Sequence, residues 1–155
     1  MNKVLSKMFE FLKIILFILA TMAILFGILS TGVALFLEIY AEKIFPFSLQ
    51  SNIIGILFRS FIIISFCEEL VKWLFTYVIC WKDKNFNYVY DAIVYCVFIS
   101  LGFASIENLI AILSNSGGFT LALQRGLITV PAHAFFGIIS GYYLGIAKKY
   151  EARRW

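Results

Sequence analysis

Residues Ile14 to Leu37 read IILFILATMAILFGILSTGVALFL, 24 positions without a charge. As a helix this stretch rises about 36 Å, enough to cross a hydrocarbon core of about 30 Å. A secretory leader would have a shorter apolar core of about 7 to 15 residues, a small-residue cleavage site, and flanks without an acid such as Glu10. The stretch therefore reads as an uncleaved first span. The rest of the chain has the same character. Of 155 residues 62% are hydrophobic and only 22 are charged, too few to cover the surface of a soluble domain of this size. The apolar excess must face lipid, and the expected architecture is an all-α, polytopic helical bundle of about four transmembrane helices. The expectation is a single integral membrane domain over 1–155, with no appended soluble domain.

The other blocks follow from the same reading. The second runs over 52–81, is interrupted by Arg59, Glu68, Glu69 and Lys72, and is too long to cross straight without tilt or a break. The third covers 88–113, with Asp91 near its start and Glu107 near its end. The turn Ser114-Asn115-Ser116-Gly117-Gly118 comes next. Pro131 divides the last block, because proline lacks a backbone donor and disfavours helix in the residue before it. A short interfacial helix over about 119–129, carrying Gln124 and Arg125, is expected to precede a span over 132–147. A barrel would alternate polar and apolar residues, and these blocks do not.

Basic residues outside the blocks give the orientation. Lys3, Lys7 and Lys13 precede span one, Lys82 and Lys84 lie between two and three, and Lys148, Lys149, Arg153 and Arg154 come after span four. Lys43 alone lies between one and two. Nine against one predicts that both termini are cytoplasmic. The net charge of +4 is thus a topology signal and not a nucleic-acid footprint. Cys67, Cys80 and Cys96 all sit in apolar runs with no C-x-x-C pair, and read as small buried hydrophobes. Gly137, Gly141 and Gly145 make small-x-x-x-small steps for close helix approach.

An ionisable side chain in mid-membrane costs about 2.5 to 3.5 kcal/mol on insertion scales. Glu68, Glu69, Lys72, Glu107, Arg125 and His133 therefore call for an explanation. Pairing within one turn can match Lys72 with Glu68 or Glu69, which leaves one acid, Glu107 and His133 unexplained. Two acids and an imidazole from three helices can converge on a wet cavity. There a carboxylate could take a proton from water, and donors could hold the oxyanion of a peptide carbonyl. Glu68, Glu107 and His133 could equally hold zinc and leave a position for water. Asp91 is divided between a site role and a favourable place at a helix N-terminus.

These residues also carry a resemblance. Glu68-Glu69-Leu70-Val71-Lys72 resembles the E-E-x-x-K motif of the PrsW-type intramembrane protease family. Asp91-Ala-Ile-Val-Tyr95 leading to Gly102-Phe103-Ala-Ser-Ile-Glu107-Asn108 looks like its second motif. Arg125, then Pro131-Ala132-His133 with Gly141-Tyr142, looks like its third. The likeness runs from about Arg59 to Gly145. The family is similar to the CAAX-protease and bacteriocin-processing superfamily, which has F-x-x-x-H where Phe103-x-x-x-Glu107 stands here. The resemblance implies that Glu68 and Glu107 activate water, that Glu69 and Lys72 support them, that His133 holds the oxyanion and that Asn108 orients a neighbour. It further implies a membrane-protein substrate such as an anti-sigma factor, and a bacterial or archaeal cell membrane as the location.

The expected function is an intramembrane endopeptidase. The expected chemistry is glutamate-activated water with no bound cofactor, because there is a single histidine and the nearest acids are engaged by Lys72. Zinc on Glu68, Glu107 and His133 is the alternative. Two rivals use the same polar cluster differently, a noncatalytic immunity or scaffold protein with a binding pocket and a small transporter or proton conductor.

Overall fold

The computed structural model describes residues 3–49, 52–82, 88–115 and 117–152, and every regular element among them is helical. Lys84, Ser116, Arg153 and Arg154 lie outside the described residues. Helix α1 runs Lys3–Ile44, well beyond both ends of the charge-free stretch that announced it. Hydropathy marks what lipid can cover, whereas a helix ends where its backbone is interrupted. Nothing interrupts α1 until Pro46 opens a short 3-10 turn, Pro46–Leu49.

The second block is one helical rod in three parts: α2 (Ile53–Phe58), a π-helical segment (Arg59–Ser65) and α3 (Phe66–Cys80). Asn52 caps its start by accepting a 2.7 Å bond from the Gly55 N–H. The expected break is replaced by the π segment, inside which the Ser65 hydroxyl donates to the Ser60 carbonyl at 2.8 Å. Helix α4 is Val89–Ser114, within a residue of the expected span.

The last block differs from expectation. Helix α5 (Gly118–Gln124) continues through a second π segment (Arg125–Thr129) into α6 (Val130–Ala152), so Pro131 breaks nothing. The Val130 N–H reaches back to the Arg125 carbonyl, five residues away. That wide turn directly before the proline accommodates a ring that would clash with the tighter α ladder. Instead of an interfacial helix and a separate span there is one continuous rod.

Among the described residues three helices are long and apolar enough to cross a membrane, Leu25–Ile44, Val89–Ser114 and Gly118–Glu151. The α2–α3 rod, 28 residues and about 42 Å long, carries Arg59, Glu68, Glu69 and Lys72 and is set apart by that charge rather than by length.

Helix α4 is the centre of the bundle, with Ala92, Cys96, Ile99, Ser100, Gly102, Phe103 and Ala104 buried. Helix α6 lies antiparallel on it along its glycine face. A Cβ at Gly141 would stand 2.5 Å from the Ile93 Cα, and one at Gly145 would stand 2.6 Å from the Val89 Cα. Gly27 of α1 lies against the Gly102 backbone in the same way. Ala34, Val71 and Phe103 form a buried plug where α1, α3 and α4 meet.

Contacts along the helices fix their directions. Phe26 of α1 shares a cavity with Phe75 and Val78 of α3, while Glu42 near the end of α1 meets Arg59 ahead of α3. At the other end of α3 the Lys148 ammonium donates to the Trp81 carbonyl at 2.6 Å. Neighbours in sequence therefore alternate in direction, and the C-terminal ends of α3 and α6 share one end of the bundle with the start of α4.

Candidate active site

Helix α3 presents Glu68, Glu69 and Lys72 to the bundle on consecutive turns, and burial of the neighbouring Val71 fixes its rotation. Lys72 is only 3% exposed. Its ammonium is ion-paired with Glu69, lies 3.8 Å from Glu68 Oε2 and stands 4.5 Å over the Phe103 ring. It also approaches His133 Nδ1 at 3.1 Å. An ammonium carries only donors, so Nδ1 must accept. The imidazole proton then sits on Nε2, which donates to Glu107 Oε2 at 3.0 Å.

Glu107 is held on both oxygens, one by His133 and the other by Arg125. Arg125 in turn donates through Nε to Asn108 Oδ1 at 2.7 Å, so Asn108 aims the guanidinium. The histidine ring lies 5.8 Å from Phe103, the same aromatic that underlies Lys72. One carboxylate oxygen from each of Glu68 and Glu107 and one His133 nitrogen all lie within 4.8 Å of one another.

A cavity of about 150 Å³ opens beside this cluster, lined by Ser65, Glu68, Glu69, Thr129, Ala132, His133 and Phe136. Liquid water occupies about 30 Å³ per molecule, so the cavity has room for several waters or part of an extended peptide. Each of its two walls begins where a π segment ends, at Ser65 and Thr129, which sets the rotation of the helices that carry Glu68 and His133.

Of the residues singled out in the sequence, Glu68, Glu69, Lys72, Glu107, Asn108, Arg125 and His133 come together. Asp91 does not. It sits in the first turn of α4, where its carboxylate accepts from the Tyr88 N–H at 2.9 Å, sixteen residues and about 24 Å of helix from Glu107. Arg59 donates to Glu42 at 2.6 Å, away from the cluster. One acid was overlooked, Glu38 of α1. It lies within electrostatic reach of Glu68 and Glu107. In the sequence it only marks the end of the charge-free run, and its spacing of four from Ala34 was the available signal.

The sequence matches the family described as "PrsW family intramembrane metalloprotease" over residues 17–155. The chain belongs to this family. Proteins named "Protease PrsW" resemble it in several bacteria. The one from Halalkalibacterium halodurans is 45% identical over 98 residues, covering 63% of this chain and 45% of the relative. That of Clostridioides difficile is 31% identical over 121 residues, covering 77% and 51%. That of Bacillus subtilis is 38% identical over 94 residues, covering 61% and 42%. The chain spans about half the length of the curated relatives it matches. No solved structure matches it. Membership of the PrsW family, together with three apolar helices of crossing length, makes it an integral membrane protein of bacterial type.

Proposed function

We propose that the chain is an intramembrane endopeptidase that hydrolyses a peptide bond in or near the membrane segment of a membrane-protein substrate. The observation that carries this reading is the convergence of Glu68, Glu107 and His133 within 4.8 Å, beside a cavity that two of them line. Glu107 is tied down by Arg125 and His133, whereas Glu68, among the described residues, has only the 3.8 Å approach of Lys72 as an ion pair and faces the cavity. Glu68 is thus the base. It takes a proton from water as the water oxygen bonds to the carbonyl carbon. The oxyanion is met by the His133 Nε2–H, released from Glu107, and by the Lys72 ammonium. Glu68 then returns the proton to the leaving nitrogen as the C–N bond breaks. Lys72, by donating to Nδ1, keeps the His133 proton on Nε2, and Glu107, itself held by Arg125 and Asn108, aims the ring before substrate enters. A membrane-anchored anti-sigma factor is the substrate class that the family resemblance implies.

The family's description names a metal, and the three convergent donors match a zinc site in number and type. Their surroundings fit poorly. A histidine bound to metal through one nitrogen gives its other N–H to an acceptor. Here the Nδ1 side meets the Lys72 ammonium, which can accept nothing, and a metal on Nδ1 would face that positive charge at close range. This supports hydrolysis without a resident ion, and no step is assigned to one.

The test uses purified chain in bilayers with a single-pass reporter substrate. Glu68→Gln and Glu107→Gln should each lower cleavage about a hundredfold or more while helix content is unchanged. Retained cleavage by Glu68→Gln removes it as the base. One zinc per chain by elemental analysis, with activity lost on chelation and restored by zinc, overturns the metal-free reading.

A further inference from the structure

Helix α1 brings a further carboxylate to the level of the site. The plug of Ala34, Val71 and Phe103 is 1% exposed at each residue. Glu38 comes four residues after Ala34, Glu68 three before Val71 and Glu107 four after Phe103. Helices α1 and α4 run together and α3 runs against them, so each of these steps of one turn leads the same way along the bundle. Three carboxylates from three helices therefore lie just past one apolar plug. Glu38 acts electrostatically on Glu68 and on Cys67, and Glu107, Glu42 and Arg59 act on Glu38.

The two sides of α1 differ in this region. Leu35, Phe36, Ile39 and Tyr40 are exposed apolar residues that face lipid, whereas Glu38 and Glu42 are on the partly covered side. Glu42 ends the stripe by accepting from Arg59, whose side chain is 47% exposed. Glu38 itself has no hydrogen bond or ion pair among the described residues. An unpaired carboxylate at this depth is costly in hydrocarbon, and water is the partner that relieves the cost. Hydrolysis creates the complementary need. Each turnover consumes one water, whose oxygen ends on the new carboxyl group while its hydrogens balance the new carboxyl and amine. A substrate lying in the cavity between α3 and α6 obstructs entry from that side, and α1 does not line that cavity.

We infer that the stripe Glu38–Glu42 of α1 is the route by which water enters the site, and that Glu38 is a positioning residue that holds water against Glu68 and Glu107. The inference rests on the hydrolytic reading for its purpose, but the route can be tested without any cleavage. In vesicles, in a background with Cys67, Cys80 and Cys96 replaced by alanine, Glu38→Cys should react with a charged, water-soluble methanethiosulfonate at least ten times faster than Leu35→Cys. Equal rates overturn the route. In the chain with its native cysteines, Glu38→Leu should lower kcat at least tenfold with KM within twofold. Glu38→Gln, polar and of similar size, should keep at least a third of kcat. Equal losses in Leu and Gln would refute the water-holding role. If the native chain cleaves no substrate but the labelling contrast holds, the hydrolytic reading fails and the water route stands.

Discussion

Replacing Lys72 with methionine keeps the length of the side chain and removes one buried charge. The ammonium is 3% exposed and serves Glu69, Glu68 and His133 together. Breaking a buried pair by removing one partner costs about 3 to 5 kcal/mol, because the other charge is left uncompensated. The Glu69 side chain is 29% exposed and can recover part of its hydration, which places Lys72→Met at the lower end, about 3 kcal/mol. Glu69→Gln should cost less, about 1.5 kcal/mol, since Lys72 keeps Glu68 and His133. If the two were independent the double variant would cost about 4.5 kcal/mol. With both charges gone the cost should instead be about 2 kcal/mol, a coupling of about 2.5 kcal/mol. The assay is reversible unfolding of the four proteins in mixed micelles, read by tryptophan fluorescence. Cleavage measured alongside separates the two residues further. Recovered activity in the double variant would mean that Glu69 acts only through Lys72, and continued loss would mean that Lys72 serves the reaction directly. A coupling below about 0.5 kcal/mol would refute the claim that this is one buried pair.

The packing and the charge distribution set two more outcomes. Gly141→Val should loosen α6 from α4 and destabilise the bundle by about 3 kcal/mol, because even a Cβ there falls 2.5 Å from the Ile93 Cα; unchanged thermal stability would contradict the close approach. Reporter fusions at Lys43 and Lys82 should lie on opposite faces of the membrane, with Lys82 cytoplasmic, and product termini should map to the extracytoplasmic edge of the substrate's span. Glu107 lies six residues, about 9 Å, before Leu113 near the end of α4, so cuts at the cytoplasmic edge would refute this depth.

The sequence announced the helical membrane bundle because lipid imposes a compositional demand that a short chain cannot hide. The polar cluster was legible for a related reason. A Glu, Lys or His placed among phenylalanines and isoleucines stands out, and helical spacing shows which of them share a face. The features that escaped notice depend on contacts between helices. Pro131 looked like a breaker because the π turn that tolerates it leaves no mark in composition. The meeting of Lys72 with His133 spans 61 positions and is created by the packing of α3 and α6 around Phe103. Glu38 read as the border of a span, since its inward direction is decided by where Ala34 docks and not by its neighbours in sequence. Helix α1 runs past the charge-free stretch at both ends because charged residues can extend a helix beyond the lipid that covers its middle.

The paired π segments have a consequence for how this scaffold can vary. A π turn holds one residue more than the α turn it replaces, and each extra residue in an α-helix rotates the downstream part by about 100°. Deleting one residue within Arg59–Ser65 or Arg125–Thr129 would thus leave an unbroken rod, yet swing its upstream half a quarter-turn or more relative to the downstream half. Each π segment therefore fixes the angle between the upstream part of its rod and the part that carries Glu68 or His133. A one-residue insertion or deletion inside either segment is thus a change of aim and not a break in the helix.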